Sequence, residues 1–204
     1  MASHSNETHW AVNPQEVVKA VLDAHEFYKE KKIDERYESM ALDLVRRYVW
    51  KEGVPRESDP FFGAALFVVT RHPWSHPNPL TKTEFAAKLR MKESSLDWYT
   101  DSIAEKLGFA SLHDRAQLPY YMDPNGTIAS VVASVIRSSV GEEVVRSIVS
   151  REVTAPEVLA DEIVDRLCNV VKVVPSAFRH ELYGLVRRKI ADETKALRDQ
   201  LSGK

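Results

Sequence analysis

The sequence predicts an all-α protein: a five-helix domain followed by a second helical half. Three observations carry this. Apolar residues recur at steps of three and four along most of the chain, the period of a helix face. The pairs Asn13-Pro14 and Asp59-Pro60 stand where those stripes open, as N-cap followed by proline in the first turn. The run from Phe61 to Val69 is apolar on every face and does not alternate, which favours a helix surrounded by others over a strand.

Residues 1 to 13 are polar and read as a disordered leader. The first helix starts at Asn13-Pro14 and reaches about Lys31, with Val17, Val18, Val21, Leu22 and His25 as its inner face. Lys29, Lys31 and Lys32 close it, where cations suit the helix dipole. Asp34 caps a second helix with a stripe of Tyr37, Met40, Ala41, Leu44, Val45 and Tyr48, stopped by Gly53. The third contains Phe61 to Val69, and its small Gly63, Ala64 and Ala65 allow neighbours to approach closely. His72 to Pro79, HPWSHPNP, holds three prolines and is a loop. From Thr81 to Phe109 two short helices joined by a tight turn follow, with Phe85, Ala86 and Leu89 on one and Leu96, Tyr99, Ile103 and Leu107 on the other. Met91 is the apolar residue of the turn between them.

Residues 110 to 126, with Pro119 and Asp123-Pro124-Asn125-Gly126, read as a linker with a sharp turn. Beyond it, helices are expected at about 127 to 139, 141 to 151, 155 to 172 and 176 to 200. β-branched residues are weak helix formers, which leaves strand as the competing reading for part of 128 to 149. The three–four spacing of Ile128, Val131, Val132, Val135 and Ile136 favours helix. Val158, Leu159, Ile163, Val164 and Leu167 form a further inner face, as do Phe178, Leu182, Leu185, Val186 and Ile190. The domain organisation is thus 14–109, a linker at 110–126, and a second helical domain at 127–204, with its status as a degenerate repeat left open.

The 204 residues suffice for one large domain or two of roughly 100 residues each. With 44% apolar residues the chain can bury a substantial core. A net charge of −2, from 28 basic and 30 acidic side chains, gives no global pull toward nucleic acid or an anionic membrane, although a local basic patch suffices for DNA. Cys168 is the single cysteine, which excludes a disulfide framework or a cysteine zinc site within one chain. An intracellular setting, cytoplasmic or nucleoid or nuclear, fits best. No run of about 18 apolar residues occurs, and no secretory signal opens the chain, so no membrane partner is expected.

Five helices with a central third one are the arrangement of a cyclin box. Ala41 with Tyr48, the apolar Phe62 to Val69, the pattern T-x-x-E-F-A at Thr81 to Ala86, and the ladder Leu96, Tyr99, Ile103, Leu107 closing at Gly108-Phe109 carry a resemblance. The first half, 14 to 109, resembles the cyclin repeat of the general transcription factor TFIIB and its archaeal relatives. That resemblance implies a regulator of transcription or the cell cycle that binds a partner protein, with DNA as a further ligand. The cysteine pairs of the zinc ribbon that precedes the repeats in that family have no counterpart here. The HPWSHPNP loop is also additional, and the second half lacks an equivalent of T-x-x-E-[IF]-A. The expectation is therefore a cyclin-fold or winged-helix-like relative repurposed for binding.

Thr81 to Phe109 also resembles a helix-turn-helix, whose second helix can lie in a DNA major groove. Its exposed positions are read as Lys92, Glu93, Ser94, Asp97, Thr100, Asp101 and Glu105, one positive against four negative charges, which repels phosphate. Lys82, Lys88, Arg90 and Lys92 are the candidate phosphate contacts. On the protein-binding side, the groove beside the third helix, with Phe61 and Phe62, and the Trp74 loop are the candidate contacts. His72 and His76 stand four apart, but the prolines around them forbid the helix that would align two metal ligands. Cys168 reads as a buried small hydrophobe, His180 lacks a third partner, and Arg187-Arg188-Lys189 reads as a solvated face. Glu142-Glu143 with Arg146 reads as surface pairing. No phosphate loop, dinucleotide fingerprint, nucleophile elbow or zinc-protease helix is present. The chain is therefore expected to be a non-enzyme without a cofactor. The alternative is an assembly protein, a homo-oligomer joined through the valine-rich stretch 127 to 174.

Overall fold

The computed structural model describes residues 12–75 and 79–201. It is mostly helical, as the sequence predicts. In order come α1 (Pro14–Glu30), α2 (Glu35–Glu52), α3 (Ser58–Thr70), α4 (Lys82–Leu89), α5 (Glu93–Leu107), β1 (Ala110–His113), β2 (Pro119–Met122), α6 (Thr127–Ser150), α7 (Pro156–Asp165) and α8 (Arg179–Leu201). The chain divides into two compact units. One holds the described residues up to Val69 together with Lys82–Leu107, and the other holds those of Thr70–Thr81 and from Gly108 onward.

In the first unit the helix starts follow the capping chemistry. Asn13 accepts from the Gln15 amide at 3.0 Å and Asp34 from the Arg36 amide at 3.0 Å, each satisfying a donor the helix leaves orphaned. Gly53 ends α2 at φ 87°, a backbone state that favours glycine. Every residue from Phe61 to Val69 on α3 is buried. Around it, ring centroids lie 4.8 Å apart for Tyr48 and Phe61, 5.8 Å for Phe61 and Tyr99, and 5.0 Å for Phe67 and Phe85. The Tyr28 hydroxyl donates to the Phe62 carbonyl at 2.9 Å inside this core. The α4–α5 turn lies close against Gly63: a Cβ there would overlap the thioether of Met91. Met91 is thus anchored on α3 rather than exposed.

The inner face of α1 is rotated from the expected one. Val17, Ala20, Ala24, Phe27 and Tyr28 are buried, whereas Val18 and Leu22 are about 60% exposed and His25 is also exposed. The small Ala20 and Ala24 let α1 lie close in the bundle, and the aromatic pair Phe27 and Tyr28 supplies the bulk of the contact. His25 instead meets Glu38 at 2.5 Å on the surface. On α2, Met40 is likewise more exposed than its stripe implies, and Val49 takes a core position.

In the second unit the segment read as a linker is a β-hairpin. β1 and β2 pair antiparallel, with Ala110 opposite Met122 and His113 opposite Pro119. Asp114 shapes the connection: its carboxylate accepts from the amides of Ala116 at 2.8 Å and Leu118 at 3.0 Å. Leu112, Tyr120 and Met122 turn inward and join the core of Ile136, Val164, Phe178 and Leu182. Tyr120 and Phe178 stack edge-on at 4.7 Å. The stretch after α3 belongs here too, because the Tyr121 amide donates to the Arg71 carbonyl at 2.8 Å. The expected break between 139 and 141 is absent, and α6 is one continuous helix through Gly141. The helix expected at 155–172 is α7 followed by a π-helical turn at Arg166–Val170, and a 3-10 turn at Ser176–Phe178 leads into α8. Val158 points outward, 49% exposed, instead of into the core.

Candidate functional site

Within the first unit the α4–α5 corner is built by a helix stop at Arg90. The Met91 amide donates to the Ala86 carbonyl at 3.0 Å and the Arg90 amide to that of Ala87 at 3.1 Å, with Arg90 left-handed at φ 59°. Lys88, Arg90 and Lys92 are exposed around this turn. Lys82 is not: its ammonium is held by the Asp97 carboxylate of α5, and its side chain is 25% exposed. Thr100, read as an exposed position of α5, is fully buried. Glu93, Asp101 and Glu105 remain exposed on α5 itself. Three of the four candidate phosphate contacts, Lys88, Arg90 and Lys92, thus lie at the α4–α5 corner, while Lys82 stands at the far end of α4 and is already neutralised, and acidic side chains line the helix that would enter a groove.

The candidate protein contacts part company. Phe61 is fully buried in the aromatic core and cannot face a partner. Phe62 is buried as well, yet it is among the residues that line a groove between α1 and the start of α3. This hollow of about 300 Å³ is lined by Ala20, Val54, Pro55 and Phe62, with Glu16, Lys19 and Asp23 at its edges. A second hollow of about 360 Å³ adjoins it through Lys19 and Asp23 and is walled by Pro14, Val18 and Leu22. Val18 and Leu22, one helical turn apart, and Val54 at 52% exposure make an apolar rim with nothing covering it among the described residues. Sequence reasoning missed this rim because Val18 and Leu22 complete the stripe as well as the true core positions do.

In the second unit, Trp74 sits in a short turn, Pro73–Ser75, with its side chain 52% exposed and its amide donating to the His72 ring at 3.1 Å. His76 lies outside the described residues. The Arg71 guanidinium binds the Leu80 carbonyl and lies 5.5 Å from the centre of the Tyr120 ring, whose hydroxyl donates to Asp114 at 3.5 Å. Burial pushes the Arg71 pKa down and that of Tyr120 up. Since Arg71, Tyr120 and Asp114 are all buried, this cluster fastens Arg71 and Leu80 to the hairpin and is structural.

Between α6 and α7 lies a cleft of about 290 Å³ lined by Ser139, Glu142, Glu143, Arg146, Glu162 and Arg166 over Leu159 and Ile163. Glu143 is buried, not a surface partner. It accepts from the Thr154 amide at 2.8 Å and from Arg146 Nε at 2.7 Å, and Arg146 also donates to the Thr154 hydroxyl at 2.7 Å. The Thr154 amide first, and then the Arg146 guanidinium, hold the Glu143 carboxyl below its ordinary range. These charges are spent on joining α6 to the approach of α7. Burial raises the Cys168 thiol, which leaves it a poor nucleophile. His180 is exposed at the start of α8. Among the described residues no three His, Cys, Asp or Glu side chains converge on a metal-sized site, and no helix is long and apolar enough to cross a membrane.

No protein-family model matches the chain, and no curated protein matches it either.

Proposed function

We propose that the chain is a non-enzymatic, cyclin-like and TFIIB-like regulatory protein that docks a partner protein in transcription or cell-cycle control. The observation that carries this reading is the open apolar groove of the first unit, with Val18, Leu22 and Val54 on its rim and Phe62 in its lining. Apolar side chains left bare at one helical turn's spacing are what a partner helix uses as anchors. Lys19 and Asp23 border both hollows, so a helix with apolar residues at i and i+4 and a charge of each sign beside them fits best. Supporting this over DNA reading are the Lys82–Asp97 pair and the acidic surface of α5, both of which weaken attraction to phosphate.

The test is a selection of displayed amphipathic helical peptides on the intact protein, followed by titration of the selected peptides against wild type and Leu22→Asp. Leu22 is exposed, so the substitution should leave the circular dichroism spectrum and melting temperature essentially unchanged. The expected result is a loss of affinity of about tenfold or more for Leu22→Asp, the order seen when an apolar anchor is removed from a groove. Peptides that bind Leu22→Asp as tightly as wild type would overturn the groove as the docking site.

A further inference from the structure

The cleft between α6 and α7 is built from two matched stripes. Ser139, Glu142, Glu143 and Arg146 stand at three–four spacing on α6, and Leu159, Glu162, Ile163 and Arg166 repeat that spacing along α7 and the turn after it. Two packed helices ordinarily fill the space between them with apolar side chains. Here α6 presents Ser139 and Glu143, both 8% exposed, to a cleft whose other wall is the apolar pair Leu159 and Ile163. An opening of about 290 Å³ results, at the small end of the range for ligand pockets.

The charges in this cleft do not balance. Glu143 is held by Arg146 and the Thr154 amide, and Glu142 by the Ser138 hydroxyl at 3.1 Å and Arg166 at 3.9 Å. Each guanidinium is thus matched to one carboxylate, and Glu162 is the surplus. It makes no hydrogen bond or ion pair among the described residues, although its field reaches Arg146. Ser139 is a second unused group. A helical serine can return its hydroxyl to the carbonyl one turn back, yet this one makes no hydrogen bond among the described residues, and its oxygen opens on the cleft. A buried hydroxyl left without a partner is costly.

We propose that the cleft binds a small organic monocation, a primary ammonium on a short apolar stem. The ammonium donates to the Glu162 carboxylate and the Ser139 hydroxyl, and the stem lies against Leu159 and Ile163. A compact ammonium, with three donors to share, suits a separate carboxylate and hydroxyl better than a planar guanidinium does. An anion is disfavoured, because Arg146 and Arg166 already have carboxylate partners. The site lies wholly in the second unit and does not depend on the groove of the first.

The test is an amide chemical-shift titration of the intact protein with n-hexylamine hydrochloride at neutral pH, set against sodium hexanoate at the same ionic strength. The amine is expected to give saturable shifts concentrated at 139–146 and 159–166, and hexanoate none there. Glu162→Gln should weaken the amine by about tenfold, as loss of a charge-assisted hydrogen bond does, and Ser139→Ala by about threefold. Glu152→Gln, which removes an exposed carboxylate outside the cleft, should leave the affinity unchanged. The melting temperature of Glu162→Gln should stay within a degree or so of wild type, since the side chain is exposed. Shifts that never saturate would overturn the proposal, as would hexanoate binding as tightly as the amine, or an amine affinity indifferent to Glu162→Gln. Equal losses in Glu152→Gln and Glu162→Gln would reduce the effect to net charge and overturn it too.

Discussion

At the scale of single residues, Glu143 is where the sequence and the structure differ most instructively. Glu142, Glu143 and Arg146 have the spacing of ordinary surface pairs, but Glu143 is buried and closes a loop through the Thr154 amide. Its carboxyl is held below the ordinary value of about 4.3. A group whose folded pKa is depressed contributes stability that is present above the unfolded value and lost as pH falls through the folded one. Glu143→Gln is therefore expected to lower the melting temperature at neutral pH. The gap to wild type should close in acid, once the wild-type carboxyl is itself protonated. Thermal melts across that range check it, and a gap independent of pH would contradict the assigned ionic role. Position 143 was not legible as buried because periodicity marks apolar faces, and a polar residue closing a loop eleven positions away leaves no local trace. Val18 and Leu22 failed in the opposite sense. They fit the helical stripe, and only the packing of Ala20, Ala24, Phe27 and Tyr28 decides which side of α1 is inward.

At the scale of elements, the helices with strong punctuation were legible in both position and ends. Asn13-Pro14 opens α1, Asp34 caps α2 and Gly53 ends it. The hairpin was hidden because its strands are four residues each, too short for alternation to register, and they are bounded by proline and the Asp123-Pro124-Asn125-Gly126 turn. α6 was split in the sequence reading because Gly141 interrupts it, yet glycine costs a long, packed helix only about 1 kcal/mol. The α4–α5 turn carries a testable strain of the same size. Arg90 occupies the left-handed position that glycine holds without penalty. Arg90→Gly is expected to stabilise the protein by about 1 kcal/mol, read from chemical denaturation. A destabilised variant would mean that the Arg90 side chain makes a contact worth more than the backbone strain.

At the scale of the whole molecule, the all-helical class was readable from periodicity, but the place of the stretch after α3 in the second unit was not. The stretch after α3 joins the second unit through the Arg71 carbonyl and the Tyr121 amide, partners far apart in the chain. Both units leave apolar side chains bare, Val18 and Leu22 in one and Val145, Ile148 and Val149 in the other, while net charge is only −2. On the proposed reading the bare side chains of the first unit dock a protein through apolar contact, and the net charge adds no global attraction to a polyanion. Fluorescence anisotropy of a labelled DNA duplex, titrated with the protein at low salt and then at physiological salt, separates these two kinds of binding. The expected result is no saturable rise in anisotropy even at low salt, where attraction to phosphate is strongest. Tight binding that weakens steeply with added salt would contradict the preference for apolar docking over phosphate contact and return Lys88, Arg90 and Lys92 to the centre of the function.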